Sequence, residues 1–558
     1  MTLLRAWWAL LVLDLGQVAL RAPGALTVRG AGWLAALYAI AVVAVGLTWW
    51  ILRRIVRRTG RRTPVAPRRS SPLALAAMAV VLVVAAVGAT RGPRGRETGD
   101  GPSGTAKGTH PNVLLVVIDT LRADHLGCYG YARPTSPTID AFAAHGTLFA
   151  NAYALSSWTK PSTASLVTGR SPTEHQTLSE EARLPDTEVT IAERLRTAGY
   201  RTALLSGNPW VTPEYGFDQG VDDFFSAYDE RFARVTLLMQ ALRRIQDLSG
   251  GRLRLYNRVK YLVLGELSTT ARDTILVDEA LHWLAAPPRQ PFFLYVHMMS
   301  PHHPYDPPPP FDRFVPDRAH APVKNYPRKS YRFFEGGDAL PPDALADMVA
   351  RYDGDVLYAD TELGRLLAGL DRLGLATTTA VLVTADHGEE FFEHGNWGHG
   401  QSVYNELIRV PLLLRLPDGG GAGRRVTTPV SHADVVPTLL AIAGAPPAPA
   451  LVGRSLLDDG SREPRDAVSE LLYRYGESRA LVRESEKLVV TKQGERHADD
   501  RFDLAADPGE QRALPPDPAL ATALDRRVEA EIKARSAAAE APVDEETRRR
   551  LRALGYGN

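Results

Sequence analysis

Two apolar segments near the N-terminus contain no charged residue, and they limit what this chain can fold into more than any other feature. The segments are residues 30–52 and 71–90. Each is long enough to cross about 30 Å of hydrocarbon as a helix. A shorter apolar stretch, residues 6–20, is interrupted by Asp14 and Gln17, and it is either a third span or an interfacial, signal-like helix. We therefore predict a membrane anchor of two or three helices over residues 1–90.

The loop between the two long segments sets the predicted orientation of the chain. It contains eight arginines and no acidic residue, and the positive-inside rule places such a loop in the cytoplasm. Residues 71–90 then leave the cytoplasm, so we expect a multi-pass protein of the cell membrane with everything downstream on the extracytoplasmic side. Residues 91–110 are polar and rich in glycine, as is typical of a flexible linker.

Charge is unevenly distributed along the 558 residues. Residues 1–100 carry fourteen arginines against three acidic residues, although the net charge of the whole chain is only +1. The remaining residues are therefore net acidic. A nucleic-acid-binding protein would place its basic surface on the folded domain, so we exclude nucleic acid as a partner and expect the lipid bilayer to be one.

Downstream of residue 110, short apolar runs alternate with helical patterns. The runs 112–118, 201–205, 292–297 and 379–384 are rich in β-branched or aromatic residues, as in buried parallel strands. Residues 190–199 and 343–370 have the spacing of helices. This alternation predicts an α/β fold in which helices cover a largely parallel sheet.

Two of the predicted strands run directly into acidic residues. Asp119 follows the first strand, and Asp386, with His387 next to it, follows the strand at 379–384. Sites in open α/β sheets form at the carboxyl ends of strands, and two carboxylates with an imidazole suit one divalent cation. Either aspartate alone could instead cap the next helix, but the pair favours a metal site.

A third segment, residues 156–170, places Thr159 just before Pro161 and a predicted helix. A hydroxyl at a helix N-terminus faces free backbone N–H groups and the positive end of the helix dipole, a setting that favours an alkoxide and a bound oxyanion. The alternative is that Thr159 only caps the helix.

These segments resemble the successive signatures of the sulfatase family, in the alkaline phosphatase superfamily. The segments are NVLLVVIDTLRADHLGCYGY, SWTKPSTASLVTGR, SPHHPYDPP and TADHGEEFFEHGNWGHG. The resemblance covers residues 110–515. It implies an alkaline-phosphatase-like fold, with a mixed, largely parallel sheet between helices in a catalytic domain at residues 111–460. A small α+β subdomain is expected within residues 461–558.

The resemblance also implies roles for particular residues. Asp119, Thr159, Asp386 and His387 match metal ligands, and Thr159 occupies the position of the nucleophile. His302 matches a histidine that contacts substrate and protonates the leaving group, and His399 lies where many relatives have a lysine that contacts the substrate anion. The implied cofactor is one divalent ion, calcium by family similarity, with manganese, zinc or magnesium as alternatives.

The sequence departs from the family pattern at several positions. The family nucleophile is a cysteine or serine that becomes formylglycine, whereas Thr159 would give a ketone. Thr163 replaces an expected arginine, Thr120 replaces an expected aspartate, and a Lys-x-His pair is missing. We predict that Lys160 supplies a missing cation near the substrate, and that Arg122 either contacts substrate or packs its loop.

These departures leave more than one function open. A threonine nucleophile suits phosphoryl transfer, as in the superfamily's lipoteichoic acid synthases and phosphoethanolamine transferases. The main hypothesis is a metal-dependent hydrolase or transferase that acts through a covalent Thr159 ester. Its substrate would be an anionic phosphate or sulfate ester of a lipid headgroup, glycan or small molecule. The alternatives are a sulfuric ester hydrolase proper and a catalytically impaired relative that binds a glycan or lipid headgroup.

Overall fold

Strands with both faces buried form the centre of the computed structural model. Residues Val113–Ile118 are all fully buried, at odd and even positions alike, so other elements cover both faces of this strand. The described residues all belong to one unit, Ala106–Tyr228 with Ser268–Asn558. The structure describes residues 110–227, 269–286, 290–316, 342–448, 451–458, 466–473, 476–493, 496–535 and 539–540.

Eight strands form the main sheet of the described residues. In chain order they are β1 (Asn112–Ile118), β2 (Thr147–Phe149), β5 (Arg201–Ser206), β6 (Asp223–Ser226), β7 (Phe292–Met298), β8 (Thr379–Thr384), β12 (Leu412–Arg415) and β13 (Arg424–Val426). Their order across the sheet is β13-β2-β12-β8-β1-β7-β5-β6. The block from β8 to β6 is parallel throughout, and β12 runs antiparallel to both of its neighbours. The predicted mixed, largely parallel sheet is therefore confirmed.

Helices connect and cover these strands. They are α1 (Pro137–Ala144), α2 (Thr159–Thr168), α3 (Pro172–His175), α4 (Ile191–Thr197), α5 (Thr269–Leu284), α6 (Pro342–Arg372), α7 (Asn405–Ile408), α8 (Val435–Ile442) and α9 (Pro518–Ala534). The helices predicted at 190–199 and 343–370 correspond to α4 and α6. Helix α4 begins at a capping box in which Thr190 and Glu193 satisfy each other's backbone N–H groups.

A separate antiparallel sheet follows in the C-terminal part of the chain. It consists of β15 (Asp466–Tyr473), β16 (Gly476–Arg483), β17 (Glu486–Gln493) and β18 (Arg496–Asp503) in sequential order. Helix α9 packs on it through Leu520 and Leu524, which meet Val468, Leu481 and Leu488. The predicted domain boundary at 460/461 lies outside the described residues, so it stays a prediction.

Short strand pairs fix the loops around the sheet. Strand β9 (Glu390–Phe391) pairs with β10 (Trp397–Gly398), and β4 (Ala182–Arg183) pairs with β19 (Ala539–Glu540). The remaining small sheet contains β3 (Ala152–Tyr153), β11 (Arg409–Val410) and β14 (Val430–Ser431).

None of the helices in the described residues is long and apolar enough to cross a membrane. The predicted spans at 6–20, 30–52 and 71–90, and the predicted linker at 91–110 except for its last residue, lie outside the described residues. The membrane anchor therefore stays a prediction.

Candidate active site

Asp119 and Asp386 meet because strands β1 and β8 are neighbours in matching register. Val117 pairs with Thr384, so the residues two positions further on lie level with each other beyond the ends of the strands. Both carboxylates are fully buried. Asp386 Oδ1 accepts hydrogen bonds from the backbone N–H groups of Thr120 at 3.2 Å and His387 at 2.9 Å, and these bonds fix the direction of its other oxygen.

Two carboxylate oxygens in this region have no hydrogen-bond partner. They are Asp119 Oδ1 and Asp386 Oδ2. Burial, reinforced by the negative charge of Asp119, raises the pKa of Asp386. Two buried, like-charged carboxylates with unsatisfied oxygens are costly unless a cation lies between them. The residues present therefore fit a divalent metal ion.

Two histidines complete the surroundings of these oxygens. His387 Nε2 lies 3.4 Å from Asp386 Oδ2 and 3.9 Å from Asp119 Oδ1. His387 Nδ1 is 2.8 Å from the carbonyl oxygen of Gly388; since a carbonyl can only accept, Nδ1 carries the proton and Nε2 offers a lone pair. His297, on β7, forms a group with Asp119 and Asp386 whose ligand atoms lie within 4.8 Å of one another.

His297 and Asn208 are the two residues at this centre that the sequence did not reveal. Asn208 Nδ2 donates to Asp119 Oδ2 at 2.5 Å, and His297 Nε2 lies 3.3 Å from the same oxygen. Asn208 Oδ1 accepts from the N–H of Trp210 at 2.7 Å, which fixes the amide orientation. Both contacts thus involve Oδ2 and leave Oδ1 of Asp119 for a ligand. Two signals were available in the sequence. His297 is a polar residue inside the apolar strand β7, and Asn208 lies two residues past the end of β5.

Thr159 lies directly beside this cluster. It is the first residue of α2, and Trp158, which has extended backbone angles, occupies the N-cap position. The alternative in which Thr159 is the capping residue is therefore not what the structure shows. Thr159 Oγ1 lies 3.3 Å from His387 Nε2, and the residue is fully buried. The hydroxyl thus faces the same nitrogen that faces the two carboxylates.

His302 and His399 form the next layer outward from Thr159. The ring of His399 is 4.5 Å from that of His387 and 5.1 Å from that of His302. Burial lowers the pKa of His302 to about 4, so its ring is neutral at neutral pH before a substrate anion binds. Burial also opposes protonation of His399, but the adjacent carboxylate of Glu389 outweighs it and raises the pKa of His399.

Glu389, two residues after His387 in the chain, holds His399 in place. Glu389 Oε1 lies 2.7 Å from His399 Nδ1, and Oε2 accepts from the Tyr305 hydroxyl at 2.8 Å. Nδ1 is therefore the ring nitrogen through which Glu389 orients His399. The neighbouring Gly388 has no room for a side chain, since a Cβ there would lie 2.0 Å from the Glu406 carbonyl oxygen.

Lys160, which was predicted to supply a cation near the substrate anion, directs its ammonium group to backbone carbonyl oxygens of another loop. Lys160 Nζ donates to the carbonyl oxygens of Ser179, Glu180 and Ala182 at 2.5–3.0 Å. It also lies 3.8 Å from the ring centre of Tyr215. All three ammonium hydrogens therefore have acceptors within the protein, and the side chain fixes the 179–182 loop instead of facing a substrate.

Arg122 is likewise occupied by contacts within the protein. Its guanidinium makes a bidentate pair with Asp124, at 2.9 and 2.7 Å, and a 2.5 Å contact with Glu393. It also donates to the carbonyl oxygen of Glu389 at 2.9 Å. Of the two alternatives for Arg122, these contacts favour loop packing: the side chain joins the loop after β1 to the loop after β8.

Thr120, where the family pattern has a second aspartate, has an unusual backbone. Its φ is 55°, a left-handed conformation that β-branched residues rarely adopt. The N–H of Thr120 donates to Asp386, and its carbonyl oxygen accepts from the Tyr352 hydroxyl at 2.8 Å. Such strain costs about 1–3 kcal/mol and persists where the surroundings enforce it, as at functional sites.

The sequence and the fold of this chain are similar to those of known proteins. A family model described as Sulfatase matches residues 111–445. An uncharacterized sulfatase, YidJ, from Escherichia coli (strain K12) is 27% identical over 386 residues, covering 64% of this chain and 73% of that protein. An arylsulfatase from Clostridium perfringens is 27% identical over 437 residues, covering 72% of this chain and 89% of the relative. The crystal structure of a phosphonate monoester hydrolase from Agrobacterium radiobacter has the same fold, with a TM-score of 0.56 and 23% identity; 76% of this chain and 95% of that one are covered.

Proposed function

Since this chain belongs to the sulfatase family of the alkaline phosphatase superfamily and is a sulfuric or phosphoric ester hydrolase, we propose that it cleaves an anionic ester through a covalent intermediate on Thr159. One observation carries the proposal. The Thr159 hydroxyl lies at the N-terminus of a buried helix, 3.3 Å from His387 Nε2. That nitrogen in turn lies 3.4 Å from Asp386 Oδ2, one of the two unsatisfied carboxylate oxygens.

The residues at this centre have complementary tasks. The proposed metal ligands are Asp119, Thr159, Asp386 and His387, with His297 close enough to join them. When bound, a divalent ion there would favour ionisation of the Thr159 hydroxyl and neutralise one oxygen of the substrate. Oxygen and nitrogen donors together suit manganese or zinc better than calcium, which prefers an all-oxygen shell.

In the first step, the Thr159 hydroxyl loses its proton to solvent and its oxygen attacks the phosphorus or sulfur atom. A new bond to Thr159 forms as the bond to the leaving oxygen breaks. His302 gives a proton to the departing oxygen, and His399 contacts the substrate anion. Binding of an anion beside His302 favours the protonated form that this step requires.

In the second step, water or another hydroxyl compound attacks the Thr159 ester. Its oxygen bonds to phosphorus or sulfur, the bond to Thr159 breaks, and Thr159 regains a proton. Hydrolysis and transfer differ only in this acceptor. Thr159 cannot be converted to formylglycine, so a sulfate ester of Thr159 would have to be hydrolysed by attack at sulfur. Phosphorus esters are therefore the preferred substrates in this proposal.

Sulfate ester hydrolysis is the second candidate, and the similarity to an arylsulfatase over 89% of that relative favours it. Intact-mass measurement distinguishes the two candidates. The full-length chain in detergent, with manganese or zinc, is incubated with a phospholipid and with an aryl sulfate in turn, then quenched in acid. We expect a phosphoryl-type adduct on the wild-type protein and none on Thr159→Ala, with turnover lowered by about 10³-fold or more.

Thr159→Ser is the matched control, because it keeps the hydroxyl and removes only a methyl group. Its intact mass before incubation shows that the serine has not been oxidised to formylglycine, and the unmodified variant should still form the adduct. A sulfate adduct without a phosphoryl adduct would move the reaction to sulfate esters. Turnover by Thr159→Ala at the wild-type rate would refute the covalent route altogether.

We also propose that the predicted anchor holds this domain at the outer face of the cell membrane. Residues 1–100 contain no lysine, so mapping the labelled lysine side chains reports only on the rest of the chain. Lys533, on α9, is exposed. A membrane-impermeant amine reagent should therefore label Lys533 in right-side-out vesicles, and labelling only in inverted vesicles would reverse the orientation.

A further inference from the structure

A half-buried aromatic pair lies next to His302 and His399, the two histidines proposed to contact the substrate. His303 directly follows His302, and Trp397 precedes His399 by two residues. The rings of His303 and Trp397 meet edge to face, with centroids 4.9 Å apart. Both are partly exposed, whereas His302 is fully buried. The pair therefore lies where the buried centre gives way to solvent.

This pair is fixed relative to the catalytic groups. Tyr305 packs edge to face against His303, at 5.4 Å between centroids, and against Trp397, at 6.5 Å. The Tyr305 hydroxyl donates to Glu389, which holds His399. The hydrogen bonds Tyr305–Glu389 and Glu389–His399 thus link the aromatic pair to His399. A substrate group that packs on the pair is therefore held at a fixed position relative to His399.

The order of the residues indicates which end of the substrate meets the pair. The Thr159 hydroxyl lies beside the ring of His387, which lies beside the ring of His399. The ring of His302 comes next, beside that of His399. In-line attack by Thr159 places the leaving oxygen opposite the nucleophile, on the side of His302, which protonates it. The carbon skeleton attached to that oxygen then extends toward the residues adjacent to His302 and His399.

We propose that Trp397 and His303 form the wall of the leaving-group subsite, and that the enzyme prefers esters whose leaving group presents the flat face of a ring beside the scissile oxygen. An aryl ring and a pyranose ring share this chemistry, because both offer C–H bonds or a π-face to an indole. The inference rests on the proposed function, since it takes the direction of the leaving group from attack by Thr159.

The test compares three esters of the same anionic group, which carry a 4-nitrophenyl, a glucose 6-O or an ethyl leaving group. For each ester, kcat/KM of Trp397→Leu is divided by the wild-type value, so that intrinsic leaving-group reactivity cancels. We expect a loss of about tenfold for the ring-bearing esters, equivalent to one aromatic contact, and less than about twofold for the ethyl ester. A loss of kcat/KM on the 4-nitrophenyl ester alone would identify an aryl ring as the preferred leaving group. A loss on the glucose ester alone would identify a pyranose ring.

Two further variants control the experiment. Trp397→Phe keeps a ring and should retain most of the preference. Trp283→Leu removes another half-buried tryptophan, which donates to Asp223 and packs on Phe292 at the start of β7, and it should affect the three esters equally. An equal factor on all three esters for Trp397→Leu, or no effect, would overturn the proposal.

The failure of the proposed function would give a different result. If the wild type turns over none of the esters, calorimetric binding replaces the rate. The ring-bearing esters should then bind more tightly than the ethyl ester to wild type and lose that advantage in Trp397→Leu. Equal binding of all three esters to the wild type would overturn the aromatic subsite whatever the chemistry.

Discussion

The hydrogen bond from Asn208 to Asp119 should control metal affinity without itself being a ligand bond. Asn208 Nδ2 and His297 Nε2 both approach Asp119 Oδ2, at 2.5 and 3.3 Å, and leave Oδ1 without a hydrogen-bond partner. In Asn208→Ala, only the longer contact would still hold the carboxylate, which could then rotate or bind solvent. We therefore expect the variant to bind a divalent ion more weakly.

The magnitude follows from the environment of the bond. Asp119 and Asn208 are fully buried, and a hydrogen bond to a charged group contributes about 1.5–3 kcal/mol. At about 1.4 kcal/mol per tenfold, the expected loss of affinity is roughly 10- to 100-fold, which is also the usual effect of removing a group that orients a metal ligand. Isothermal titration of metal-free protein with manganese and with zinc measures it directly.

A matched control separates this effect from general loss of structure. Asn112 is the first residue of β1, the strand that Asp119 follows. Its side chain contacts Thr378, Thr379 and the N–H of Phe292 at the opposite end of the sheet. Asn112→Ala should lower stability and leave metal affinity within about twofold of wild type. Unchanged affinity in Asn208→Ala, or an equal loss in both variants, would refute the orienting role.

Three further predictions follow from other contacts. Glu389 raises the pKa of His399, and the protonated His399 ring binds the substrate anion, so activity is lost as pH rises through that pKa. Glu389→Gln should move this alkaline limb of the pH–rate profile to lower pH, and an unmoved profile would contradict the pairing. Lys160→Met leaves three carbonyl oxygens without their donor, so the free energy of unfolding should fall by about 2–4 kcal/mol with KM unchanged, whereas a substrate contact would raise KM. Lys487→Met leaves the buried Glu510 carboxylate, 2.6 Å away, without its cation and should cost about 3–5 kcal/mol in chemical denaturation, part of which Lys487→Met with Glu510→Gln should restore.

Much of the catalytic domain could be predicted because its signals are local. The strands at 112–118, 201–205, 292–297 and 379–384 were recognisable from apolar, β-branched runs, and the structure has β1, β5, β7 and β8 within a residue of these bounds. Since parallel strands end at the same edge of a sheet, Asp119 and Asp386 could be placed together before any coordinates. The order of strands across the sheet was not local information, because β1 pairs with β7 and β8, both far away in the chain.

The direction of each side chain was also beyond the sequence. Lys160 adjoins Thr159 in the chain, yet residues one apart on a helix do not face the same way. The buried Lys160 ammonium therefore donates to the carbonyl oxygens of residues 179–182. Glu389 is two residues from His387 but bonds His399, because the β9–β10 hairpin returns the chain to it.

The sequence by itself determined the sheet type, the two strand-end carboxylates and the hydroxyl at a helix start, because these depend on patterns within a few residues. It also supports the predicted membrane segments, which depend only on length and absence of charge. Tertiary structure alone decided that Asn208 and His297 hold Asp119, that Lys160 and Arg122 are engaged by contacts within the protein, and that Trp397 and His303 form one surface. The physical reason is that these contacts join residues from different strands and loops, whose distances are set by strand order and register.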